Sequence, residues 1–153
     1  MANTYTQILV QIVFAVKGRQ NLIVPKMREP VEKYICGIIS NKLSKPLAIY
    51  CNPDHCHVLI GLHPSISVSE MTRDIKASSS KWINENQWLK GKFSWQESYG
   101  AFTYSRSQLD NVVQYILNQP EHHRRKSFRE EYLAFLQKFG IEYDEKYLFE
   151  FIE

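Results

Sequence analysis

Polar and apolar residues alternate along residues 4–17 (TYTQILVQIVFAVK). Ile8, Val10, Ile12, Phe14 and Val16 share one face; Gln7, Leu9, Gln11, Val13 and Ala15 share the other. A period of two over this length predicts a long strand with one strongly apolar face. Lys17-Gly18-Arg19 then turns the chain. After Pro25 the period lengthens: Met27, Val31, Tyr34, Ile35, Ile38, Ile39 and Leu43 recur at helical spacing, predicting a helix over 26–43 that Pro46 ends. Residues 47–51 and 55–62 read as two strands around the turn Asn52-Pro53-Asp54, hence a hairpin. A helix over 69–86, capped by Ser67 or Ser69, puts Met71, Ile75, Ser79 and Ile83 on one side. Short strands are expected over 92–96 and 101–104. Ser107 opens the clearest helix, Ser107 and Asp110 resembling a capping box, and Pro120 stops it. A last helix covers 121–138. All six prolines read as element boundaries.

The order β-α-β-β-α-β-β-α-α places the chain in the α+β class. Its first six elements match the ferredoxin-like split βαβ core, a mostly antiparallel sheet with helices on one face. Helices follow at the C-terminus, the first carrying Tyr115. The second sheet face is left free for a ligand or a further helix. A length of 153 residues without repeats or linkers predicts one domain over 1–153.

A hydrophobic content of 44% with 23% charged residues excludes a disordered or fibrous chain. No window approaches the ~18 to 20 apolar residues of a membrane span, and the N-terminus lacks the features of a secretory signal. Cys36, Cys51 and Cys56 are odd in number and irregular in spacing, which fits a reducing cytoplasm and argues against a disulfide scaffold or zinc module. The net charge is +3, but residues 142–153 carry −4, leaving +7 for the first 141 residues. That balance permits a polyanionic partner without requiring one.

Two features carry chemistry. In a strand, residues i and i+2 point the same way, so His55 and His57 project from one face with Cα atoms roughly 6 to 7 Å apart. Two imidazoles so placed can meet one divalent ion, while Cys56 points into the opposite layer with Val58 and Ile60. Alone, such a pair reads more often as two ordinary histidines at a hairpin mouth than as a metal site. His63 lies on the same face but reads as structural. On the Ser107 helix, Leu109, Val112, Val113, Ile116 and Leu117 form a complete apolar stripe. Tyr115 lies about 120° from its centre on a helical wheel, with Gln119 one turn further on the same side. A metal ion can polarise a phosphodiester for attack by a tyrosine hydroxyl. The phosphotyrosine product keeps the bond energy, so a strand can be rejoined without ATP; no Walker-type motif is present.

These residues resemble the HUH-type single-tyrosine transposases of small insertion sequences that move as single-stranded DNA. The His-hydrophobic-His motif is His55-Cys56-His57, and the Tyr-x-x-x-Gln motif is Tyr115-Ile116-Leu117-Asn118-Gln119. The resemblance also takes in Ile12-Val13-Phe14, Ser79-Lys81-Trp82, Phe93-Ser94-Trp95 and the run from Tyr115 to His123. It implies that Tyr115 is the nucleophile and that His55, His57 and Gln119 are metal ligands; phosphoryl chemistry favours Mg²⁺, and histidine ligands also suit Mn²⁺. It further implies a homodimer and recognition of single-stranded DNA hairpins at element ends.

Arg73, Lys76, Lys81, Arg106, Arg124 and Arg125 are candidate DNA contacts, largely to phosphate, although such charges are as often solvated helix faces. Trp82, Trp88, Trp95 and Phe102 can stack bases but fit core packing better. The acidic-aromatic tail from Glu142 to Glu153 has no assignment. Two alternatives stand beside the transposase. One is a host-kept relative acting on dispersed palindromes. The other is a non-catalytic single-stranded nucleic-acid-binding module, in which both motifs would be idle.

Overall fold

In a computed structural model, which describes residues 4–18 and 22–151, the chain folds as βαββαβ followed by short helices. The sheet contains β1 (Leu9–Ala15), β2 (Lys45–Cys51), β3 (His55–Gly61) and β4 (Gly100–Tyr104) in the order β2-β3-β1-β4, every neighbouring pair antiparallel. This is the predicted α+β, ferredoxin-like core. α1 (Pro25–Asn41) and α2 (Val68–Asn86) pack on one face. There Val10, Ile12, Phe14, Cys56, Val58 and Ile60 meet Met27, Ile35, Met71 and Ile75 in an apolar layer. Phe93 and Trp95 join it; Trp95 donates its indole N–H to the buried Ser79 hydroxyl at 2.9 Å.

The second face, left for a ligand or a further helix, is taken by helices. Every residue of β1 is buried. α3 (Leu109–Leu117) and α5 (Phe128–Lys138) cover this side. Val112 and Ile116 of α3 pack on Ala48 and Leu59. Phe128, Tyr132 and Leu136 of α5 pack on Val13, Ala15 and Phe102. The tail joins them through Phe149 and Phe151 (Glu153 lies outside the described residues). Phe149 is thus core, whereas Tyr143, Tyr147 and the acidic residues Glu142, Asp144, Glu145 and Glu150 face solvent.

Several boundaries differ from the sequence reading. Residues 9–15 pair with β3 and residues 9–13 also with β4, so residues 4–8 do not extend the strand. Lys17 and Gly18 form a bend, and Arg19 is outside the described residues. The segment 92–96 is a single bridge between Val16 and Trp95, not a strand. Pro30 lies inside α1, and Pro46 lies in β2, an edge strand that tolerates the missing N–H. Ser67 caps α2 by accepting from Glu70 N–H at 3.0 Å. The cap before α3 is Ser105, whose N–H donates to Gln108 Oε1 at 2.9 Å; a 3₁₀ turn over Arg106–Gln108 precedes the helix proper. Pro120 does not simply stop this helix: it sits in the first turn of α4 (Gln119–His122), where an absent N–H costs nothing. The expected helix over 121–138 is consequently two, because Ser127 and Glu130 form a capping box that starts α5 afresh. Leu117, placed on the apolar stripe, is 53% exposed, the buried contacts of α3 being made by Val112 and Ile116.

Candidate active site

The site lies on the second face, at the end of β3 next to the hairpin turn. Asn52 N–H donates to His55 C=O at 2.8 Å, closing the turn. Strand alternation then sends Cys56 into the apolar layer and His55 and His57 outward, opposite Ala15 and Val13 of β1. The thiols of Cys51 and Cys56 are free and share the apolar side. Both imidazoles are fully covered, at 1% and 0% exposure. Their concealment comes from α5: the Phe128 ring stacks on His55 at 3.7 Å.

Glu131, one turn into α5 and 2% exposed, is the centre of the arrangement. Its Oε1 is 2.9 Å from His57 Nε2, 3.3 Å from His55 Nε2 and 3.3 Å from His123 Nε2. Its Oε2 accepts from the Tyr115 hydroxyl and from Gln119 Nε2 at 3.3 Å. The Tyr115 hydroxyl is also 3.1 Å from His122 Nε2. Gln119, fully buried, uses its Oε1 to accept from Asn52 Nδ2 at 3.0 Å and to meet His123 Nε2 at 2.9 Å. The structure therefore brings Tyr115, His55, His57 and Gln119 together within one chain. It adds Glu131, His122, His123, Asn52, Asp54 and Gln11, which sequence reasoning missed. Gln11 alone carried a visible signal, a polar residue mid-strand on the histidine side. Glu131 had none, because the phase of its helix hung on an unrecognised cap at Ser127.

A second set of contacts orients the rings. Asp54 Oδ1 is 2.7 Å from His55 Nδ1, and Gln11 Nε2 donates to His57 Nδ1 at 2.7 Å. Tyr104 O–H donates to Gln11 Oε1 at 2.7 Å. A carboxylate on the far nitrogen of a histidine leaves Nε2 as the ligand atom, the pattern of metal sites. His55, His57, His123 and Glu131 each offer one ligand atom, all within 4.8 Å of one another. Imidazole and carboxylate donors at that spacing fit a divalent ion.

The electrostatics follow from burial and neighbours. For Glu131, burial alone would raise the pKa, but the His57 charge and hydrogen bonds from His123, His55 and His57 prevail and hold it far below the usual carboxylate range. Burial pulls His55 down, yet its bonds to Asp54 and Glu131 outweigh this and raise it. His57 is lowered, burial dominating over Glu131. Burial, then the Glu131 charge, push the Tyr115 hydroxyl well above its ordinary value. Its proton is thus firmly held until a cation or substrate changes the local field.

Access is through two clefts flanking Tyr115. One, about 180 Å³, is lined by His122, Lys126, Glu131, Ala134, Phe135 and Lys138; the other, about 260 Å³, by Gln11, Tyr104, Gln108, Asn111 and Val112. A larger hollow of about 410 Å³ beside Lys17, Gln96 and Tyr147 lies under the tail. Arg106, Arg124 and Arg125 are exposed on segments flanking the site; Arg124 pairs with Glu121 at 3.4 Å. Arg73, Lys76 and Lys81 belong to α2, on the opposite face of the sheet. Arg73 pairs with Asp74, and Lys76 donates to the Glu97 and Ser98 carbonyls at 3.0 and 2.9 Å. Trp95 and Phe102 are buried in the core; Trp82 stacks on Tyr34 at 4.4 Å and meets Trp88 edge-on. His63 bonds to Ser65, apart from the cluster.

The chain belongs to the IS200-like transposases, whose family model matches residues 4–119. It is 21% identical over 120 residues to the ISDra2 transposase TnpA of Deinococcus radiodurans, covering 74% of this chain and 84% of that one. Two solved structures share the fold. One, described as a transposase of Deinococcus radiodurans R1, has a TM-score of 0.61 and 21% identity, covering 78% of this chain and 95% of that one. The other, a REP-associated tyrosine transposase bound to a REP hairpin, has a TM-score of 0.60 and 17% identity, covering 80% and 73%. Among the described residues, no helix is long and apolar enough to cross a membrane.

Proposed function

We propose that this transposase cleaves and rejoins single-stranded DNA at hairpin-marked ends, with Tyr115 as the nucleophile. The observation that supports this most is the meeting of the Tyr115 hydroxyl with the His55–His57 pair at one buried carboxylate. His55 and His57 would hold Mg²⁺ or Mn²⁺, with Gln119 the further ligand expected from the motif. When bound, the ion supplies Lewis-acid polarisation of the scissile phosphate. Tyr115 attacks the phosphorus as its proton leaves; the bond to the 3′ oxygen breaks, and that oxygen takes up a proton. The 5′ phosphate remains on the tyrosine, and attack by another 3′ hydroxyl reverses the step. Glu131 and His122 orient the Tyr115 oxygen, and the covering helix excludes water that would hydrolyse the intermediate. Arg106, Arg124 and Arg125 are placed to meet flanking phosphates, whereas Arg73, Lys76 and Lys81 would serve only DNA wrapping to the far face.

The test is a denaturing gel of protein, Mn²⁺ and single-stranded DNA copied from the flanks of the gene. A metal-dependent covalent band, absent from Tyr115→Phe, is expected; its absence from wild type, with hairpin binding retained, would leave a binding module. A second reading, a host-kept enzyme acting on dispersed palindromes, draws support from the similarly folded protein bound to a REP hairpin. Cleavage of dispersed palindromes rather than flanking hairpins would favour it. The active species is expected to be a homodimer, to be checked by light scattering.

A further inference from the structure

The family match ends at Gln119, and the residues that close the site come after it. We infer that this later segment completes the metal centre: His123 and Glu131 are ligands beside His55 and His57, with Glu131 binding metal through Oε1 and the nucleophile through Oε2. The inference rests on the reading of the histidine pair as a metal site and deepens it.

Three observations carry it. Glu131 is a carboxylate buried to 2% exposure, and a charge withdrawn from water this far needs a compensating one. Its ionic partners among the described residues are the imidazoles of His55, His57, His122 and His123, each with a nitrogen within 3.7 Å of a carboxylate oxygen. A divalent cation held among these donors would supply that charge. Next, Glu131 Oε1 stands 2.9, 3.3 and 3.3 Å from three imidazole Nε2 atoms. Adjacent donors around an octahedral ion with bonds of about 2.1 Å are roughly 3 Å apart. Finally, the other carboxylate oxygen is turned to the Tyr115 hydroxyl. One side chain thereby joins nucleophile and ion, so loading the metal also fixes where the tyrosine oxygen sits.

The experiment is calorimetric titration of Mn²⁺ into metal-free, full-length protein, for wild type, Glu131→Gln and His123→Asn, each checked for folding by circular dichroism. Both variants are expected to bind Mn²⁺ at least tenfold more weakly than wild type. Mn²⁺ should slow amide exchange in residues 128–138 of wild type but not of Glu131→Gln. Undiminished Mn²⁺ affinity in folded Glu131→Gln would overturn the assignment and leave the carboxylate a plug. If that variant does not fold, undiminished affinity in His123→Asn would overturn it instead. Wild type that binds no Mn²⁺ would overturn the metal reading itself, a result distinct from either.

Discussion

The two sides of β3 are built on opposite rules. On one, Cys56, Val58 and Ile60 enter an apolar layer where shape is all that is required. On the other, His55 and His57 enter a network in which every ring nitrogen has a polar partner within 3.3 Å. Apolar burial stabilises by about 25 cal/mol per Å² removed from water, whereas a buried polar network roughly breaks even when complete and is destabilising when broken. The first side supplies stability and the second spends structure on chemistry. The lesson is that the same strand can be substituted on one side to change folding and on the other to change activity.

Substitutions can break that division, and the largest effect falls on the chemical side. Tyr115→Phe should reduce the covalent DNA adduct to background while shifting the melting temperature little, measured by gel and thermal melt. Phe14→Ala, fully buried in the other layer, should cost about 3–5 kcal/mol in urea unfolding, and His57→Ala, which leaves Gln11 and Glu131 without that partner, about 1–3 kcal/mol. Gly100→Ala tests where the sides meet. A Cβ there would lie 2.6 Å from the Tyr132 hydroxyl and 2.8 Å from its ring. Tyr132 adjoins Glu131, so this change should cost roughly 1–3 kcal/mol and weaken Mn²⁺ binding together. Ser127→Ala removes the cap of α5 and should cost about 1 kcal/mol, with faster amide exchange confined to residues 128–138.

The smallest effect is one of pH. Burial lowers Lys76 to about 8. Between pH 8 and 10.5 the unfolded chain holds this proton and the folded chain releases it, so the lysine's contribution to stability rises with pH. Wild type should therefore gain on Lys76→Met over that window in urea unfolding, and a flat difference would show that Lys76 keeps its proton.

Much of the apolar side was legible in sequence, since alternation and helical periodicity report burial directly. Val10 to Val16, Met27 to Ile39 and Met71 to Ile83 all fall where the pattern put them. The histidine phase on β3 and the proximity of Tyr115 and Gln119 followed from the same periodicities. Glu131 and His123 did not, because no local pattern marks a carboxylate that reaches across to another element. Residues 92–96 were misread for a related reason: Phe93 and Trp95 alternate like a strand but satisfy one bridge and a core niche. The cover over the second face was also hidden, since the aromatic tail has no period.

The hairpin turn has one more consequence. Asn52 and His55 close it around Pro53 and Asp54, and which side of the sheet the histidines occupy depends on that count. A single residue added between Asn52 and His55, with the strand register kept from Asn52 backwards, would rotate the next strand by one position. Cys56 and Val58 would then face Glu131, and the imidazoles would be driven into the apolar layer. Over this stretch the protein tolerates changes of letter far better than changes of length, so deletions and insertions here should be lethal to activity even where every motif residue survives.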